Sequence, residues 1–78
     1  MFNYFIHELL PVVGMSVSAI DGYVGTVVSV QETPLSIFTI FMETTQNFVD
    51  LNLFYIDRIH QEHILLNVNK NSLEHINR

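Results

Sequence analysis

Residues 14–30 read GMSVSAIDGYVGTVVSV, and this stretch decides the fold class. It is crowded with small and β-branched side chains and divided by Asp21-Gly22. Asp-Gly between two strand-like runs signals a two-residue hairpin, because a type I′ turn needs φ > 0 at both central residues. Such a turn predicts that Ala19 faces Val24, Val17 faces Thr26 and Met15 faces Val28. All six then share one mostly apolar face. Ser16, Ser18, Gly25 and Ser29 take the other face, with Val27 as the exception. A one-residue slip would undo this sorting, so pattern and register support each other. Gly25 has no side chain to pack, which marks a bulge or a close backbone approach that would shift the register beyond it.

Working outward, Glu32-Thr33-Pro34 closes the second strand. Residues 36–43, SIFTIFME, form a third. Phe38, Ile40 and Met42 lie on one side of it and Ile37, Thr39 and Phe41 on the other, so both sides call for cover. Residues 44–47 are a polar turn. Residues 48–56 alternate, with Val49, Leu51, Leu53 and Tyr55 opposed to Asp50 and Asn52. Residues 56–59, IDRI, read as a short crossing. Residues 63–68 form a fifth strand, with Ile64, Leu66 and Val68 on one side. Asn71 followed by Glu74 looks like a short capped helical turn within 69–78. At the start, MFNYFIHELLP places Phe2, Phe5, Ile6 and Leu9 on one helical stripe that Pro11 ends. Residues 1–12 are therefore read as a covering arm, in cis or across a dimer. No repeat, low-complexity tract or linker divides the chain.

The expected fold is all-β: a small SH3-like barrel of five to six short strands over 13–68, in a single domain spanning 1–78. A chain of 78 residues buries only about 60% of the surface its unfolded form exposes. It contains no cysteine, so disulfides and thiolate metal sites are excluded. Its 49% hydrophobic content supplies more apolar side chains than one small core hides. That surplus predicts self-association, with a dimer favoured.

The net charge is −5, with Arg58, Lys70 and Arg78 the only Lys or Arg residues. Three scattered cations form no phosphate-binding patch, which argues against direct nucleic-acid binding and against anionic membranes. The longest apolar run, around 37–42, is far short of the roughly 20 residues a spanning helix needs. The N-terminus has no basic region, and His7 and Glu8 interrupt its apolar stretch. It does not read as a signal peptide, and the expectation is a soluble cytoplasmic protein.

Glycine and hydrophobic positions give the stretch a family likeness. GMSVSAIDGYVGTVVSV resembles the start of PRC-barrel domains, in which Gly-Met precedes a short strand and Asp-Gly-x-x-Gly-x-Val leads into the second. The matching positions are Gly14, Met15, Asp21, Gly22, Gly25 and Val27. Residues 54–69, FYIDRIHQEHILLNVN, look like the family's closing element, with Asp57 where the family often has proline. The resemblance runs from about Val13 to Ser72 and leaves the N-terminal arm unmatched. The family includes a cytoplasmic domain of a photosynthetic reaction-centre subunit, a domain of a ribosome-maturation factor and many short bacterial proteins. The likeness implies a bacterial, non-catalytic adaptor that works through protein contacts. It carries over no catalytic residue and no cofactor.

Candidate chemistry is sparse. His60, Glu62 and His63 form HQEH. On a helix the two histidines would share a face. On a strand they point apart, and only His60 and Glu62 align. The segment reads as entering a strand, so the spacing does not chelate, although His60 with Glu62 remains the alternative metal reading. His7 and His75 sit near the termini. No Gly-x-Ser-x-Gly elbow is present, and Ser16 and Ser18 lie on the outer hairpin face. Glu43, Asp50, Asp57 and Glu62 read as single surface carboxylates. Gly22 and Gly25 precede no helix, so they are turn glycines and not a phosphate cradle. Phe38 and Phe41 read as core and not as base-stacking platforms. The functional signal that remains is the apolar surplus: Phe2, Phe5, Ile6, Leu9, Ile37 and Phe41. The reading is a non-enzymatic, self-associating interaction module. The alternative is a ribosome-associated or RNA-processing accessory factor that binds a basic protein.

Overall fold

The computed structural model describes residues 12–31 and 33–76. The chain is mostly β. Strands β1 (Ser16–Ala19), β2 (Gly22–Val30), β3 (Phe38–Met42), β4 (Asn47–Leu51), β5 (Ile56–His60) and β6 (His63–Leu66) precede one short helix, α1 (Lys70–Ile76). The strands form one sheet in the order β4-β3-β2-β1-β6-β5. All neighbours are antiparallel except β1 and β6, which run parallel. The sheet is open, not a closed barrel, because β4 and β5 do not pair among the described residues.

One face of the sheet carries the core. Val17, Val24, Val27, Phe38, Ile40, Met42, Val49, Leu51 and Ile64 are fully or almost fully enclosed. Leu73 of α1 joins them with no exposed surface, and Val12, Ala19, Ile56 and Leu66 complete the cluster. Burying one such leucine contributes about 1.5–3 kcal/mol. This is what holds a helix of 7 residues, too short to persist alone in water.

The opening hairpin forms, but not in the expected register. Ala19 pairs with Gly22 and Ser18 with Tyr23, so Ile20 and Asp21 make the turn instead of Asp21 and Gly22. Gly22 has φ 133° while Asp21 is not among the positive-φ residues, so no type I′ turn is centred there. The reason lies far along the chain. The Asp21 carboxylate accepts the backbone N–H of Lys70 at 2.9 Å, at the first residue of α1. Beyond Ser18 the register jumps to Val17 opposite Gly25, leaving Val24 as an extra, bulged residue. A second irregularity on β2 leaves Val28 without a partner on β3. The first bulge puts Val24 and Val27 on the same buried face, three positions apart, and the second leaves Val28 exposed. The expected core role therefore passes from Val28 to Val27.

Gly25 is where β2 and β3 touch backbone to backbone. A Cβ built there falls onto the Phe41 carbonyl, 2.7 Å from its carbon and 3.0 Å from the Met42 Cα. Only hydrogen fits at this position.

Three further expectations change. The IDRI segment is strand β5, not a crossing. Residues 53–55 leave β4 in a single 3-10 turn capped by Asn52, whose side chain accepts the Phe54 N–H at 3.0 Å. The helix is capped by Asn69, not Asn71: its side chain accepts the Ser72 N–H at 3.2 Å and the Ser72 hydroxyl at 3.1 Å.

Candidate interaction surfaces

The face opposite the core carries a rank of side chains in direct cross-strand register. From edge to edge it reads Phe48, Phe41, Thr26, Ser16, His63 and His60. The rank arises because the bulge at Val24 returns Thr26 to the face that Ser16 occupies.

At its histidine end, β5 and β6 meet in a two-residue turn, Gln61–Glu62, with φ 49° and 65°. This is the type I′ geometry expected at Asp21–Gly22, placed instead on residues with no turn preference. His60 and His63 are therefore opposed partners. The expectation that they point apart, and that His60 aligns with Glu62, is corrected. The Ser18 Oγ and His63 Nε2 lie 2.6 Å apart. Among the described residues the other ring nitrogen makes no hydrogen bond. Nor do three or more His, Asp or Glu side chains gather as metal ligands among the described residues. An open hollow of about 440 Å³ beside this end is lined by Val13, Gly14, Met15, Ser16 and Glu62, with one carboxylate and no second titratable group.

The other end of the rank is aromatic. Phe48 and Phe41 have ring centroids 5.2 Å apart at a tilt of 55°. Phe41 is half-buried, while Phe48 keeps 57% of its surface in water. Tyr23, also exposed, donates its hydroxyl to Glu43 Oε1 and lies 3.4 Å from Thr26 Oγ1. Thr39, opposite Asp50, donates to its Oδ1 at 2.5 Å.

Two further exposed apolar residues are tied by their backbones to the segment after β6. Ile20 and Phe54 are the most exposed large hydrophobics among the described residues, at 70% and 75%. The Ile20 N–H donates to the Val68 carbonyl at 2.9 Å. The Asn67 side-chain amide donates to the Phe54 carbonyl at 2.7 Å. The backbones of Ile20 and Phe54 are thus tied to the neighbouring residues Val68 and Asn67.

Of the candidates taken from the sequence, Phe2, Phe5, Ile6 and Leu9 lie outside the described residues. Ile37 is half-buried before β3, its carbonyl accepting the Gln31 N–H at 2.8 Å. Phe41 packs on Phe48, so β4 supplies part of the cover that β3's outer side calls for. Asp21, Gly22 and Gly25 sit at the hairpin as described. Sequence reading passed over Ile20, Tyr23, Phe48 and Phe54. Phe48 carried a signal, because it falls in step with Asp50 and Asn52, the polar side of an alternating strand. No helix among the described residues is long and apolar enough to cross a membrane. Comparison with protein-family models, curated proteins and solved structures gives no match.

Proposed function

We propose that this chain is a small, non-catalytic protein-interaction module that works in the cytoplasm and self-associates as a dimer through apolar surface. The observation that carries the reading is the exposure of Ile20 and Phe54, at 70% and 75%. Among the described residues these are the two most exposed large hydrophobics, and their backbones are held at adjacent positions by bonds to Val68 and Asn67. Sealing each from water is worth about 1.5–3 kcal/mol before the cost of association. An SH3-like, PRC-barrel-like ancestry belongs to the same proposal. It is supported by the demands on two matching glycines: a positive φ at Gly22 and the backbone contact at Gly25.

Sedimentation equilibrium across micromolar to millimolar concentration tests the reading. The expected result is a dimer mass for the wild type and a monomer mass for Ile20→Ser/Phe54→Ser. Both side chains are exposed, so the double variant keeps the fold, which circular dichroism checks. A wild-type monomer throughout the range, or an unchanged dimer in the variant, overturns the reading.

A further inference from the structure

We propose that the outer face of β2, β3 and β4 is a docking surface for a basic segment of a partner protein. An arginine or lysine of that segment sits on the Phe41–Phe48 pair, between the carboxylates of Glu43 and Asp50. The inference rests on the interaction-module reading and names the chemistry of a partner.

Charge is the first argument. From Glu8 to Asp57 the chain contains no Lys, Arg or His. All three strands of this face therefore lack a cation, while Glu43 and Asp50 bring two anions to it. Among the described residues, the one ion pair joins Arg58 and Asp57 at 3.5 Å, on β5 at the opposite edge of the sheet order.

The aromatic ring is the second. Phe48 does not serve the core, which fills the other face of β4 through Val49 and Leu51. It stands 57% exposed against Phe41, a ring surface that attracts a cation through its quadrupole. Asp50 is two positions along the same face of β4.

The carboxylates are also held in place. Tyr23 engages one oxygen of Glu43, and Thr39 engages one oxygen of Asp50. The second oxygen of each has no partner among the described residues and is available to an external donor. A guanidinium suits this setting better than an ammonium, because its plane stacks on a ring while its N–H groups reach carboxylates to either side.

The same charges exclude a second copy of this chain. A two-fold contact through this face would bring both copies' Glu43 and Asp50 together, and like charges opposed across an interface are penalised. Self-association and basic-segment docking therefore use different surfaces.

The test is a titration of the 15N-labelled full chain with a capped Arg-Thr-Arg-Thr-Arg peptide, read by amide shifts and by calorimetry. The charge-reversed Glu-Thr-Glu-Thr-Glu peptide and a uridine oligonucleotide serve as comparisons. The expected result is saturable shifts at Phe41, Phe48 and Asp50 with the arginine peptide alone. Affinity falls about tenfold or more in Glu43→Gln/Asp50→Asn, and also in Phe48→Ser. It also weakens as salt is raised. Absent shifts at these amides, equal affinity for the charge-reversed peptide, oligonucleotide binding at this face, or unchanged affinity in the carboxamide variant each overturn the inference. Sedimentation of the same samples separates the two proposals. A dimer that ignores the arginine peptide overturns the docking surface alone. A monomer that also ignores it overturns both readings.

Discussion

Gly25→Ala tests the sheet at the point where the backbones of β2 and β3 come closest. The backbone of Gly25 is not in the left-handed region, so alanine meets no conformational penalty there. The whole effect is steric. The added methyl lies 2.7 Å from the Phe41 carbonyl carbon and 3.0 Å from the Met42 Cα. Carbon atoms pack at about 3.5–4.0 Å, so β3 must retreat by roughly 1 Å. Both neighbours are backbone atoms and cannot rotate away. Gly25 pairs with Met42 on one side and with Val17 on the other, so the strain cannot be passed to β1 without opening that ladder too. A retreat of about 1 Å carries ladder bonds beyond the distance at which they count as bonds. Two lost bonds, with buried groups left unsatisfied, cost about 2–5 kcal/mol. The total stability expected of a domain this size is only about 4–12 kcal/mol. In urea, with a slope of about 1 kcal/mol/M, the midpoint falls by about 2–5 M, or the variant does not fold. Gly14→Ala is the control. Its position opens onto empty space but has φ 94°, so only the conformational cost of about 1–2 kcal/mol applies. If the two variants unfold at the same urea concentration, the close approach at Gly25 does not exist and the register of β2 on β3 is wrong.

Two further changes test other features of the sheet. Gln61→Asn/Glu62→Gly places turn-preferring residues at φ 49° and 65°; it should stabilise the domain by about 1 kcal/mol and raise the melting temperature by about 4–8 °C. An unchanged or lower melting temperature would mean that β5 and β6 are not joined by this turn. Asp21→Ala removes the acceptor for the Lys70 N–H, so it should cost about 0.5–2 kcal/mol and speed hydrogen exchange at that amide. Unaltered exchange at Lys70 would refute the tie between hairpin and helix.

The existence of the first hairpin is legible from β-branched runs around Asp21-Gly22, and so is the importance of Gly25, a mid-strand residue with nothing to pack. The register is not legible. It depends on a carboxylate engaged 49 positions away, at Lys70, and on two bulges in β2 that counting by twos passes over. Strand β5 is hidden for a related reason. Gln61 and Glu62 carry no turn signal, so IDRI reads as a crossing and both histidines as lying on the way into one strand. The helix start shifts to Asn69 because Leu73, fully buried, fixes the helix's rotation against the sheet. Propensity alone does not set that rotation.

Packing accounts for the inner face, and it separates structural residues from the rest. Phe38, Ile40, Met42, Val49, Leu51 and Leu73 fill the space beneath β3 and β4 with almost no exposed surface. Their identity follows from the need to close a core. Phe48 meets no such need. Part of its ring covers Phe41, but the 57% left in water contributes nothing to burial. Ile20 and Phe54 stand in the same relation to the fold, each tied by its backbone and released by its side chain. The backbone bonds at these positions fix where the apolar groups are presented, and the core does not require them to be apolar. Stability therefore explains the placement of these three residues but not their chemistry. A ring beside two anchored carboxylates and two exposed apolar side chains elsewhere have different complements, one cationic and one apolar.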